Sequence, residues 1–175
     1  MYQLYEWADI IGRFMDSGGN VLWAIAALTF FMWTLSIERV WYYKFGLSKD
    51  IKNAINTWES RSERKSWNAR QIRAKLISEV EMKINASLPM IQTMVALCPL
   101  MGLLGTVTGM IEVFNILAVT GGGDAKSMAG GVSKATIPTM AGMVAALSGV
   151  FINTYIKGIA ERETELLEDH LTTDH

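Results

Sequence analysis

Cysteine, proline and histidine are scarce in this 175-residue chain, at one, three and two copies. A single cysteine, Cys98, excludes an internal disulfide and any cysteine-based metal cluster. It lies inside an apolar run and reads as a buried thiol of ordinary chemistry. His170 and His175 both fall in the C-terminal tail. There is no H-E-x-x-H, no G-x-S-x-G and no nucleotide-binding loop. These absences argue against a membrane enzyme, and no cofactor or metal is expected. Charge is scarce too: 19% of residues are Asp, Glu, Lys or Arg, and they nearly cancel to −1. That balance gives no reason to expect a nucleic-acid partner. No stretch alternates with the period of a strand, and no internal repeat is visible.

Hydrophobicity is what the chain has in excess. Half of the residues are hydrophobic, and mean hydropathy is +0.21. Three stretches carry no charge at all: residues 20–37, 84–111 and 135–156. About 20 apolar residues at ~1.5 Å rise cross the hydrocarbon core, where every backbone polar group must be satisfied within the chain. The fold expected is therefore all-α, with three transmembrane helices. The division expected is 1–19 periplasmic amphipathic helix, 20–42 first transmembrane helix and 43–87 cytoplasmic helical loop. Residues 88–119 form the second span, 120–127 a periplasmic turn, 128–157 the third span and 158–175 a cytoplasmic helical tail.

Orientation follows from the basic residues. Segment 43–87 holds ten Lys/Arg, whereas 1–19 holds only Arg13 and the short link 119–127 only Lys126. The positive-inside rule puts 43–87 in the cytoplasm, which makes the chain N-out and C-in. The N-terminal 19 residues are not a signal peptide, since Glu6, Asp9 and Asp16 precede the apolar run. Leu4, Ala8, Ile11 and Met15 recur at helical spacing and mark an interfacial helix ended by Ser17-Gly18-Gly19, with a frayed terminus as the alternative. In the loop, Ile51, Ile55 and Trp58 form one apolar face, and Ile72, Leu76, Val80 and Ile84 a second. Tail residues Ile159, Leu166, Leu167 and Leu171 are expected to pack on those faces in a helical bundle.

The second span carries Gly102, Gly105 and Gly109 at spacings of three and four, on one side of a helix. The third answers with Gly142, Ala145, Ala146 and Gly149. Small residues let membrane helices approach closely, so a tight hairpin or a close contact between subunits is expected. Centring the turn on Gly121–Gly123 puts Thr106 level with Thr139, and Glu112 level with Lys134. An ionisable residue in a membrane helix is expensive and is usually paired. Glu112 and Lys134 are therefore ion-pair candidates, within one subunit or between neighbours; the alternative is two solvated charges at the outer interface. Thr106, Thr136 and Thr139 either bond carbonyls one turn back or form a polar lining. Pro99 and Pro138 are expected to bend their helices and free carbonyls, which suits a packed interior.

Residues 97–114, "LCPLMGLLGTVTGMIEVF", and 130–155, "GGVSKATIPTMAGMVAALSGVFINTY", resemble the MotA/TolQ/ExbB proton-channel family, most closely the short form of its ExbB branch. The resemblance implies a homo-oligomeric ring, a pentamer, in the bacterial inner membrane. Its second and third helices would line a lumen that holds transmembrane helices of an ExbD-like partner. That assembly would couple proton flow to a TonB-like protein for outer-membrane import of iron-siderophores, haem or cobalamin. By motif, Thr106 and Thr139 match the family's lumen threonines. The pattern departs at Lys134, where many relatives carry glutamate; Glu112 is then the candidate to supply the negative charge. A TolQ-like envelope motor, a flagellar stator subunit and a non-conducting scaffold are the alternatives.

Overall fold

The computed structural model describes residues 2–61, 63, 66–121 and 125–171. Five helices follow one another: α1 (Tyr2–Phe45), α2 (Leu47–Glu59), α3 (Trp67–Asn85), α4 (Leu88–Thr120) and α5 (Ala125–His170). No strand occurs among the described residues. Helix long and apolar enough to cross a membrane lies within Gly18–Phe45, Trp67–Val119 and Met128–His170. The chain is all-helical with three candidate membrane spans.

Local chemistry sets the breaks. Gly19 interrupts α1 with φ 62° and ψ −161°, a left-handed conformation that a residue without Cβ adopts at little cost. α4 ends in the same way. Gly121 has φ 72°, and its N–H donates to the Leu117 carbonyl at 3.0 Å, the single-bond left-handed helix end. Gly122 and Gly123, expected in the turn, lie outside the described residues. Side chains of Leu4 and Ala8, from the expected N-terminal amphipathic face, are likewise outside the description. Ile11 of that face is exposed. Ser66 caps α3, its hydroxyl accepting the Ala69 N–H at 3.1 Å. Pro99 and Pro138 sit inside unbroken helices.

The chain divides into two compact units. The first comprises α1 up to Met32, α4 from Thr93 and α5 up to Val150. Its centre is Ile25, Cys98, Ala145 and Ala146, with Val21, Leu28 and Met101 packed around them. Thin side chains on α4 and α5 leave room there for the large apolar residues of α1. Met32 is fully buried, and a Cβ built on Gly149 would stand 2.5 Å from its sulfur.

The second unit comprises α1 from Trp33, α2, α3, the start of α4 up to Gln92 and α5 from Phe151. Its core gathers Leu47, Trp58, Val80, Ile84, Ile156, Leu167 and Leu171, with Ile51, Ile55 and Leu76 packed against it. Of the tail residues expected to pack, Leu167 and Leu171 are buried, while Leu166 is 41% exposed because it falls on the outer side of α5. Polar contacts lock the junction of α3 and α4. Arg39 donates to the Lys83 carbonyl at 3.0 Å and to Ser87 Oγ at 3.4 Å, and Tyr43 donates to the Ile84 carbonyl at 2.8 Å. These are last-turn carbonyls of α3 without intrahelical donors, so side chains from α1 satisfy them. Ser87 holds φ 65°, a left-handed conformation that costs a residue with Cβ about 1–2 kcal/mol. Lys83 and Tyr42 both donate to Asp50, each at 2.7 Å. With the Lys83 ammonium as the larger influence and the Tyr42 hydroxyl second, the Asp50 carboxyl is held below its ordinary range. Arg73 caps the far end of α5 by donating to the carbonyls of Glu168 and Leu171.

Candidate functional site

Along the seam between α4 and α5 the backbones nearly touch. A Cβ placed on Gly102 would lie 2.9 Å from Thr139 Cα and 3.0 Å from the Pro138 carbonyl oxygen. One on Gly142 would lie 2.5 Å from the Cys98 carbonyl oxygen and 3.2 Å from Gly102 Cα. One on Gly109 would reach 2.7 Å from Ala135 Cβ, and one on Gly105 would run into the Pro138 ring. Real Cβ atoms do not approach backbone this closely, so only glycine permits the spacing. Gly131 belongs to the same seam, facing Val113 at 2.6 Å, although the glycine spacing read from the sequence omitted it. Gly149 faces two helices, since a Cβ there would stand 2.5 Å from the Met32 sulfur of α1 and 2.6 Å from Val95 of α4, and Ala146 packs in the core with Ile25 of α1.

These contacts also give the register. Cys98 and Gly102 meet Gly142, Gly102 meets Thr139, Gly109 meets Ala135, and Val113 meets Gly131. Thr139 is therefore level with residues 102–105, within one helical turn (~5 Å) of Thr106. Likewise Lys134, next to the Ala135 that meets Gly109, is level with residue 110, about half a turn (~3 Å) from Glu112. The similar depths expected from a turn centred on 121–123 hold to within a turn, and α4 ends at Thr120 with Gly121 as its left-handed stop.

The three threonines take different roles. Thr139 Oγ1 donates across the seam to the Gly102 carbonyl at 2.9 Å, joining α5 to α4. Thr106 donates to the Leu103 carbonyl at 2.7 Å, and Thr136 to the Ser133 carbonyl at 2.8 Å, both within their own helices. Thr108 does the same toward Leu104 and Gly105. Each hydroxyl has its proton committed and keeps lone pairs that accept. Thr136 is exposed and Thr106 half-buried in the single chain, and Leu103 on α4 and Met140 on α5, within one turn along their helices, are exposed as well.

A cavity of about 760 Å³ opens in this unit. Glu112 and Lys134 both line it, with Thr108, Gly109 and Pro138. Asp16, which sequence spacing did not connect to them, lines it as well. It sits on α1 just before the Gly19 break, too far along the chain for any periodicity to signal the meeting. Glu112 and Lys134 thus share one cavity, but among the described residues the four ion pairs lie elsewhere and none joins these two. No cluster of His, Cys, Asp or Glu able to hold a metal occurs among the described residues.

Residues 45–169 match the MotA/TolQ/ExbB proton channel family, which is most of the chain and includes the glycine seam, the threonines and two of the cavity charges, Glu112 and Lys134. The chain belongs to that family. It is 46% identical over 66 residues to the biopolymer transport protein ExbB-like 1 of Synechocystis sp., a match covering 36% of this chain and 26% of the relative. ExbB-like 3 of the same organism is 27% identical over 99 residues, covering 51% of this chain and 47% of the relative. The Tol-Pal system protein TolQ of Pseudomonas aeruginosa is 38% identical over 74 residues, covering 42% and 32%. The chain thus spans half or less of each of these relatives.

Proposed function

We propose that this chain is an ExbB-like subunit of a proton-driven motor in the bacterial inner membrane, oriented N-out and C-in. Several copies, five on this reading, surround an axis lined by α4 and α5. An ExbD-like partner contributes helices to the lumen and the titratable carboxyl that carries the proton. The assembly transmits force to a TonB-like protein and so energises import of iron-siderophores, haem or cobalamin. The observation that carries this reading is the pairing of a glycine-tight α4–α5 seam with hydroxyls on its outward faces. Tight packing makes a rigid wall, and Thr106 and Thr136 present oxygen lone pairs from that wall to a neighbour. Thr139 serves at one remove, by holding Gly102 and the wall in place.

The charged cavity replaces the glutamate relay of many relatives on this reading. Lys134 neutralises carboxylates of Glu112 and Asp16 across hydrated space or between neighbouring copies. A TolQ-like envelope-integrity motor is the second reading, favoured by the identity to the Pseudomonas TolQ stretch. Co-expression with ExbD-like and TonB-like partners, scored by growth on a siderophore as sole iron source, tests the first. Thr139→Ala is expected to abolish growth with the complex still formed, and Thr139→Ser to keep it. Growth unchanged by Thr139→Ala and by Thr106→Ala with Thr136→Ala argues for a scaffold that does not couple to protons. Rescue of detergent sensitivity in an envelope-defective strain, without iron-dependent growth, argues for the TolQ-like role.

A further inference from the structure

A second cavity, of about 340 Å³, lies in the other compact unit and differs in kind. α1 supplies Trp33, Ile37 and Trp41 as walls with buried Ser36 between them, and α5 supplies Ile152. Its lining is almost wholly apolar, and the lone charge among its lining residues is Lys44, in the last turn of α1. Lys44 enters none of the ion pairs among the described residues. Trp41 is 65% exposed and Ile37 57%, so the groove opens sideways from the helix instead of closing into a core.

We propose that this groove holds one glycerophospholipid with an anionic headgroup, drawn from the leaflet whose surface lies at Lys44. Length supports that occupant. From Trp33 to Lys44 the groove follows eleven residues of helix, about 16 Å, which matches the roughly 15 Å depth of one leaflet. Charge supports it as well. Beyond the uncharged run, Glu38 and Arg39 pair with each other at 3.0 Å, so Lys44 in the last turn of α1 is the cation left at that end of the groove, with Trp41 one turn away, a residue that favours the membrane–water interface. The acyl chain lies along Ile37 and Ile152 toward Trp33, and the phosphate meets the Lys44 ammonium. This site depends only on the chain crossing a membrane, and not on the motor reading.

The assembled complex is reconstituted in nanodiscs of phosphatidylcholine with one tenth phosphatidylglycerol, then extracted in mild detergent, and its retained lipid is counted by mass spectrometry. Incorporation into the discs tests the membrane reading by itself. The parent is expected to keep about one lipid per chain, enriched about five-fold in phosphatidylglycerol, the factor that one lysine near an anionic surface supplies. Lys44→Glu is expected to keep a lipid but lose the enrichment, and Ile152→Trp, which fills the groove, to lose the lipid while the helix content is unchanged. Equal enrichment in Lys44→Glu, or no retained lipid in the parent, overturns the site. So does a disulfide between neighbouring copies of Ile37→Cys in a Cys98→Ser background, since a second copy then covers the groove.

Discussion

Replacing Gly142 by alanine should separate α4 from α5. The added Cβ would meet the Cys98 carbonyl oxygen at 2.5 Å and Gly102 Cα at 3.2 Å, and both obstacles are backbone. Neither can rotate aside as a side chain does, so the helices must move apart by about 1 Å to restore ordinary contact. A shift of that size stretches the 2.9 Å bond from Thr139 Oγ1 to the Gly102 carbonyl past its useful range. Overpacking costs ~1–3 kcal/mol and the lost bond ~0.5–1 kcal/mol, for a total of about 2–4 kcal/mol. In a chain of this size that lowers Tm by roughly 5–15 °C. The native Cys98 thiol, fully buried in the core with Ile25, Ala145 and Ala146, reports the same event: a small maleimide should label it far faster in Gly142→Ala than in the parent. Gly158→Ala is the control. Nothing lies within 4 Å of its Cβ, so it should hold or raise Tm through the ~0.5–1 kcal/mol helix preference of alanine over glycine. If Gly142→Ala matches the parent in Tm and in labelling rate, the close seam is refuted.

Other substitutions test the remaining parts. Trp58→Ala removes a side chain that is 2% exposed in the core of the second unit and should cost ~3–5 kcal/mol, measured by thermal unfolding in detergent. Arg39→Ala strips the donors from the Lys83 carbonyl and Ser87 Oγ and should cost about 1–3 kcal/mol; Arg39→Lys should recover only part. Asp50 has a folded pKa below its unfolded value of ~3.9, so its contribution is complete above that pH and fades as pH falls through the lower folded value. The Tm difference between parent and Asp50→Asn should therefore be flat from pH 5 to 8 and shrink below pH ~4. Lys134→Glu should impair assembly or uptake by gathering three carboxylates around one cavity, and adding Glu112→Lys should partly restore it. Both variants behaving like the parent would make these charges irrelevant.

What was legible in the sequence is what the membrane enforces. Hydrocarbon tolerates neither charge nor unpaired backbone, so the uncharged runs mark the three candidate spans. Close helix contact demands small residues, so Gly102, Gly105, Gly109 and Gly142 announced the seam through their spacing. Its register was legible only to within about a turn, because three consecutive glycines offer several places to stop a helix and spacing alone does not choose among them. Ala54 and Ala69 are buried yet went unnoticed, since alanine contributes too little hydropathy to mark a face. The caps on α3 escaped for another reason. Arg39 and Tyr43 reach carbonyls more than 40 residues away, and a backbone carbonyl leaves no trace in residue identity. Asp16 was missed beside Glu112 and Lys134 because it comes from another helix. The hydroxyl bond from Thr139 to Gly102 combined two expectations that sequence kept apart, polar lining and tight packing.

A density map of the assembled complex in lipid addresses the central claim most directly. Several copies should enclose an axis, with α4 and α5 innermost and the oxygens of Thr106 and Thr136 turned toward a partner helix. Those two side chains embedded among acyl chains, or a solitary subunit with no enclosed space, would contradict it.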